Sequence, residues 1–142
     1  MMKKYDMTTK DIIEEELAKI PFLGCETYIF EYPREADDID SLTTSRFGLT
    51  LDDKPIVEFY TSVIDQIYED QKSFIEKRYS SKEKYIQCIV RHENRHYQQY
   101  QYAKDNGIDI NVLDKDEDLE KDAYDYENGI VNDLVSVFHL NK

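Results

Sequence analysis

Two of the chain's three histidines stand four residues apart, in the pentapeptide His92-Glu93-Asn94-Arg95-His96. On a helix, positions i and i+4 share a face, so both imidazoles can bind one zinc ion. The glutamate beside the first histidine then points at a water activated by that ion and can act as its general base. Residue types and spacing together point to metal-assisted hydrolysis.

A helical wheel sharpens the string match. With His92 at zero and about 100° per residue, Ile86, Ile89, Val90, Tyr97 and Tyr100 fall between roughly 60° and 160°. Glu93 lies at about 100° and His96 at about 40°. The three chemical residues therefore sit in or beside the apolar stripe that should face a core. Arg91, Asn94, Arg95 and Gln98 are expected on a wet face, with Arg95 a surface charge. Burying two histidines and a glutamate is costly unless something binds them, and a metal with a third ligand meets that need.

A catalytic zinc takes three protein ligands and keeps one position open. His139 is the remaining histidine, and the run from Asp114 to Glu127 offers eight carboxylates in fourteen residues. Glu120, 24 residues after His96, is the best candidate. On its own wheel it shares a face with Val131, Leu134 and Phe138, and small Ala123 one turn on would let two helices approach. Glu127, about 20° away, is the second candidate or an orienting partner. Acids in a first helical turn also suit the helix dipole without any ligand. Asp114-x-Asp116-x-Asp118 hints at a calcium loop, but Leu119 stands where that loop needs glycine and Asp125 where it needs a bidentate glutamate.

The elements that must position these groups can be read from periodicity and caps. Residues 9 to 19 predict a helix closed by Pro21, and 26 to 33 a strand. Residues 34 to 45 read as a loop. Two more strands follow at 46 to 52 and 55 to 61, with a turn at Asp52-Asp53-Lys54. Residues 63 to 78 predict one helix with Val63, Ile64, Ile67, Tyr68, Phe74 and Ile75 on its apolar side. Ser80-Ser81-Lys82-Glu83 is a capping box for the motif helix, which should run to about residue 105 and stop at Asn106-Gly107. Asp114-x-x-Glu117 can cap a last helix that reaches about Leu140 and bends at Asn128-Gly129. The expected fold is α+β: a small antiparallel sheet packed on helices, in a single domain over residues 1–142.

Composition limits the partners. A formal net charge of -13 repels nucleic-acid backbones and anionic membranes, and no apolar run is long enough for a membrane helix. Cys25 and Cys88 form no CxxC, and no signal peptide is evident, so a reduced cytoplasmic setting is expected. The same charge admits another class of function, an acidic non-enzymatic inhibitor that blocks a basic surface.

Residues 92 to 96, followed by Glu120-x-x-Ala123, resemble the two motifs of the zincin metallopeptidases of gluzincin type. The layout from about residue 26 to 140 is similar to the small ImmA/IrrE-like proteins. The resemblance implies a minimal zincin-like domain with zinc on His92, His96 and Glu120. It implies Glu93 as general base and a peptide or protein substrate. Tyr124, with Tyr97 and His139 as further candidates, would donate to the oxyanion. Two departures stand out. Asn94 and Arg95 are polar where such families carry small or apolar residues. Tyr124 also takes the place of an aspartate that would orient a ligand histidine, which leaves Asp122 or Asp125 for that work. A zincin-type domain that senses or binds a partner without proteolysis is a further reading.

Overall fold

Helix ends in this chain are fixed by short polar residues and by glycine. The computed structural model describes residues 8–20, 22, 24–32, 43–109 and 117–138. It has an α+β architecture, and its residues cluster in two compact units divided between Val90 and Arg91, inside the longest helix.

In the first unit, α1 (Thr9–Lys19) opens with a reciprocal cap that the sequence reading did not single out. The Thr8 hydroxyl accepts from the Asp11 amide at 3.2 Å, and the Asp11 carboxylate accepts from the Thr8 amide at 3.1 Å. Ile12 and Ile13 form its buried face. Three strands follow: β1 (Glu26–Phe30), β2 (Ser45–Leu49) and β3 (Pro55–Tyr60).

The sheet is mixed rather than antiparallel. Its order is β1-β3-β2, with β3 antiparallel to β2 but parallel to β1. The β2–β3 turn is local, with Asp53 in the left-handed region at φ 60° and its amide on the Thr50 carbonyl at 2.9 Å. Strand composition is blind to which neighbour β1 takes and in which direction. As the central strand, β3 buries Val57, Phe59 and Tyr60 completely. Pro55, with no N–H to give, stands at its first position.

The single helix expected over 63–78 is two, α2 (Thr61–Asp70) and α3 (Lys72–Tyr79), broken at Gln71 with φ -124° and ψ 30°. Residues 69–74 are all exposed, Phe74 among them at 61%, so no buried side chain holds that turn straight. Ser80 ends α3 in the left-handed region at φ 72°. The cap of the next helix, α4 (Lys82–Asp105), is Ser81: its hydroxyl accepts from the Lys84 amide at 3.1 Å. The box expected one residue earlier is therefore not formed, and Glu83 instead accepts from Gln87 at 3.1 Å.

In the second unit, α4 stops at Gly107 as anticipated. Gly107 has φ +68°, its amide reaches the Lys104 carbonyl, and the Ile108 amide reaches the Ala103 carbonyl at 2.8 Å, a left-handed stop that needs no Cβ. Gly129, at φ +89°, ends α5 (Glu117–Glu127) by the same pattern, with the Ile130 amide on the Asp125 carbonyl at 2.9 Å. The expected bend is thus a full stop. A separate short helix, α6 (Leu134–Val137), follows, capped by Asp133 on the Val135 amide at 3.1 Å. Val131 is accordingly 69% exposed and shares no helix face with Glu120. Pro21, residues 34–42 of the expected loop, Asp114 and Asp116 of the expected cap and calcium-like run, and His139 lie outside the described residues.

Replacing Ser81 with alanine is expected to lower stability by about 1 kcal/mol in urea denaturation. Ser80→Gly is expected to leave stability unchanged or raise it, because it relieves a left-handed residue. A loss at Ser80 rather than Ser81 would return the cap to the earlier position.

Candidate metal centre

The motif helix does not divide into a dry and a wet side. Among its described residues, Glu93, Asn94, Arg95, Tyr97, Gln99 and Tyr100 are all buried, with Arg95 only 3% exposed. The wheel sorted residues by hydropathy, but polar groups are buried too when they can be paired. Arg95, expected at the surface, forms a two-pronged ion pair with Asp122 of α5. Its Nε donates to Oδ2 at 2.7 Å and its Nη2 to Oδ1 at 3.2 Å. The same guanidinium donates to the Asn132 carbonyl at 2.6 Å and the Gln98 side chain at 2.8 Å, and lies 5.4 Å from the Tyr126 ring centroid. Burial would raise the Asp122 carboxyl, but bonds from Arg95, Gln99 and Asn132 outweigh it and hold the group below its ordinary range.

On this scaffold the two motif histidines face one carboxylate. His92 Nε2 is 2.6 Å from Glu120 Oε1, His96 Nε2 is 3.1 Å from Glu120 Oε2, and the two Nε2 atoms are 3.2 Å apart. These are the three residues singled out as metal ligands, and among the described residues they form the one cluster suited to hold a cation. The outer nitrogens are also engaged: His92 Nδ1 lies 3.3 Å from Glu127 Oε1, and His96 Nδ1 2.9 Å from Gln99 Oε1. Glu127, the alternative to Glu120, meets the outer nitrogen of His92 and not the Nε2 side where Glu120 lies. Gln99 was missed. Its signal, an amide three residues after the second histidine and one turn along the same face, was present in the sequence.

The electrostatics of the cluster follow from burial and these contacts. Burial opposes charge on His92, but its bonds to Glu120 and Glu127 prevail and push its pKa up to about 10. His96 is likewise raised, against burial, by its bond to Glu120 and by the nearby charge of Glu93. Glu120 is held well below the usual carboxylate range by His92 and His96. Glu93 is buried on the same helix and acts electrostatically on both imidazoles.

The donor set fits zinc. Two imidazole nitrogens and a carboxylate oxygen are a known catalytic combination. Zinc–ligand bonds of roughly 2.0–2.1 Å in a tetrahedron place donor atoms about 3.3 Å apart. The His92–His96 and His96–Glu120 separations are close to that, and the His92–Glu120 contact is a shorter hydrogen bond. Glu120 is 64% exposed while the histidine side chains are mostly covered, so the cluster opens to solvent on the carboxylate side.

The oxyanion candidates are less closely tied to the cluster. Tyr124 stands one turn after Glu120 and is 43% exposed. The Tyr97 hydroxyl accepts from Gln101 at 3.1 Å along its own helix. No protein-family model, curated protein or solved structure matches the chain, so the functional reading rests on this geometry.

Asp122→Ala leaves a guanidinium buried without its partner and is expected to cost about 3–5 kcal/mol, read by chemical denaturation. The double replacement Arg95→Met with Asp122→Leu should recover most of that loss. A single-mutant cost under about 1 kcal/mol would mean the pair is solvated in solution.

Proposed function

We propose that the chain is a zinc-dependent metallopeptidase of the zincin type, in its gluzincin form, acting on a peptide or protein substrate in the cytoplasm. The observation that carries this reading is the convergence of His92 Nε2, His96 Nε2 and the Glu120 carboxylate within 4.8 Å of one another. The engagement of both Nδ1 atoms elsewhere supports it, because a histidine whose outer nitrogen is held by an oxygen presents the other as a donor. His92, His96 and Glu120 would hold the ion. When bound, zinc supplies the Lewis acidity that lowers the pKa of water and polarises a carbonyl. Imidazole with a single carboxylate favours zinc over manganese, calcium or magnesium.

The chain's own residues then divide the remaining work. Glu93 takes the proton of the attacking water and returns it to the leaving amine. Tyr124 is the donor proposed for the oxyanion, its exposure allowing contact with a bound substrate. The exposed edge of Glu120 leaves the cluster accessible from solvent.

The charge of -13 disfavours nucleic acid and anionic lipid as partners, and no helix among the described residues is long and apolar enough to cross a membrane. Cys25 and Cys88 are not joined in a disulfide, which suits a reducing compartment.

Protein purified without added metal is expected to carry close to one zinc per chain. His92→Ala should lose it. Glu93→Gln should keep it while peptide hydrolysis falls by roughly 10²–10⁴-fold. Metal-free protein of full stability that takes up no zinc would end the proposal. Zinc retained with no hydrolysis by the wild type would leave a metal-dependent binding domain.

Zinc uptake should also depend on pH with a fixed sign. The metal needs the Nε2 lone pair of His92, which holds its proton up to about pH 10. Zinc must therefore displace at least one proton below that pH. Its apparent affinity should rise roughly tenfold or more per pH unit between about pH 6 and 8, measured by chelator competition. A flat profile would show that His92 gives up no proton to the metal in that range.

A further inference from the structure

Gln99 is fully buried, and the direction of its amide is set by its neighbours. Its Nε2 donates to the Leu119 carbonyl at 2.9 Å and to Asp122 Oδ2 at 2.8 Å. A carbonyl has no proton to give back. Both oxygens of Asp122 already accept from the guanidinium of Arg95, and Oδ1 accepts from Asn132 as well at 3.1 Å. Exchanging the amide nitrogen and oxygen of Gln99 would face an oxygen against oxygens at both places. The amide therefore has one tolerable orientation.

That orientation turns Oε1 toward His96 Nδ1, 2.9 Å away. An amide oxygen only accepts, so Nδ1 must carry the hydrogen. The lone pair of the neutral ring then lies on Nε2, the atom that faces Glu120 and His92. A reversed amide would present N–H to Nδ1 and draw the lone pair to the side of the ring away from Glu120. His92 is held differently, by the direct approach of Glu127 to its Nδ1.

We propose that Arg95, Asp122 and Gln99 form a positioning relay that fixes His96 as an Nε2 metal donor. The proposal rests on the zinc reading above. It also gives a purpose to the polar residue that precedes the second histidine of the motif. Arg95 locks Asp122, and through it sets the amide that holds His96. Asn132 is brought into the relay by the stop at Gly129, which lets residues 130–133 fold back so that Asn132 meets Arg95 and Asp122. None of the three relay residues touches substrate; they act through the ligand.

The test uses full-length protein with ¹⁵N-labelled histidine, of which there are only three residues to assign. Zinc is added to one equivalent, and long-range proton–nitrogen correlation reads which ring nitrogen is metal-bound. The relay predicts Nε2 coordination at His96, with a hydrogen on Nδ1 that exchanges slowly with solvent. Coordination through His96 Nδ1 in the wild type would overturn it, and this arm does not depend on any variant folding. In the second arm, Gln99→Met keeps the side-chain length and removes the amide. Zinc affinity is expected to fall roughly 10–100-fold while the His92 ring signals stay in place. Affinity within about twofold of wild type would also overturn the relay. Failure of the relay alone leaves zinc bound at one equivalent; failure of the zinc reading shows as no uptake by the wild type and removes the relay with it.

Discussion

The interaction on which the second unit depends is the buried pair of Arg95 and Asp122. Two charges withdrawn from water are costly, and their mutual attraction repays this only when the remaining hydrogen-bonding positions are filled. Here they are filled: Asp122 accepts from Arg95, Gln99 and Asn132, while Arg95 also donates to Gln98 and the Asn132 carbonyl. The pair joins α4 to α5 and draws in the strand of chain after Gly129. Directional bonds of this kind specify an alignment that apolar packing alone would leave free to slide. Glu120 lies two residues before Asp122 on the same helix, so the register set by the pair is also the register that delivers Glu120 to His92 and His96.

This explains why α4 is buried where its composition reads as wet. Arg95, Asn94 and Gln99 each lie among polar partners: Asn94 accepts from Gln98 at 2.8 Å and from Tyr126 at 3.5 Å, and Gln99 spans Leu119, Asp122 and His96. The unit is held by a hydrogen-bonded layer with few large apolar side chains. Leu119 and Ala123 supply the apolar contribution from α5, both fully buried. A chain with 35% charged residues and a 40% hydrophobic share can build such a layer where it could not build a second oily core.

What the sequence made legible were the features encoded locally. The i, i+4 histidines, the phase of Glu93 on the buried stripe and the glycine stop at 107 all follow from helix geometry, which is the same in every protein. What stayed hidden was set by distant partners. The parallel pairing of β1 with β3 sets Glu26 against Ile56, residues far apart in the chain. The burial of Arg95 depends on Asp122, 27 residues away. The cap at Ser81 instead of Ser80 turned on which serine adopted the left-handed turn that ends α3, and two adjacent serines offer no chemical means of telling them apart. Glu127 was visible as an acid on the right face, but spacing could not say that it meets Nδ1 of His92 while Glu120 meets Nε2.

The acidity of the chain bears on the site through local charge. Glu93, Glu120 and Glu127 surround two imidazoles, a cluster with three formal negative charges when the rings are neutral. Two protons, one on each ring, lower that to one; a single divalent cation does the same. Protons and a dication thus answer the same local charge: His92 is raised by the carboxylates around it, and Glu120 is in turn depressed by the two imidazoles. The exchange is favourable for a metal only if both rings offer Nε2 at once. That is a geometric condition, and the features that bear on it are a carboxylate behind one ring and an amide, bonded to a buried ion pair, behind the other.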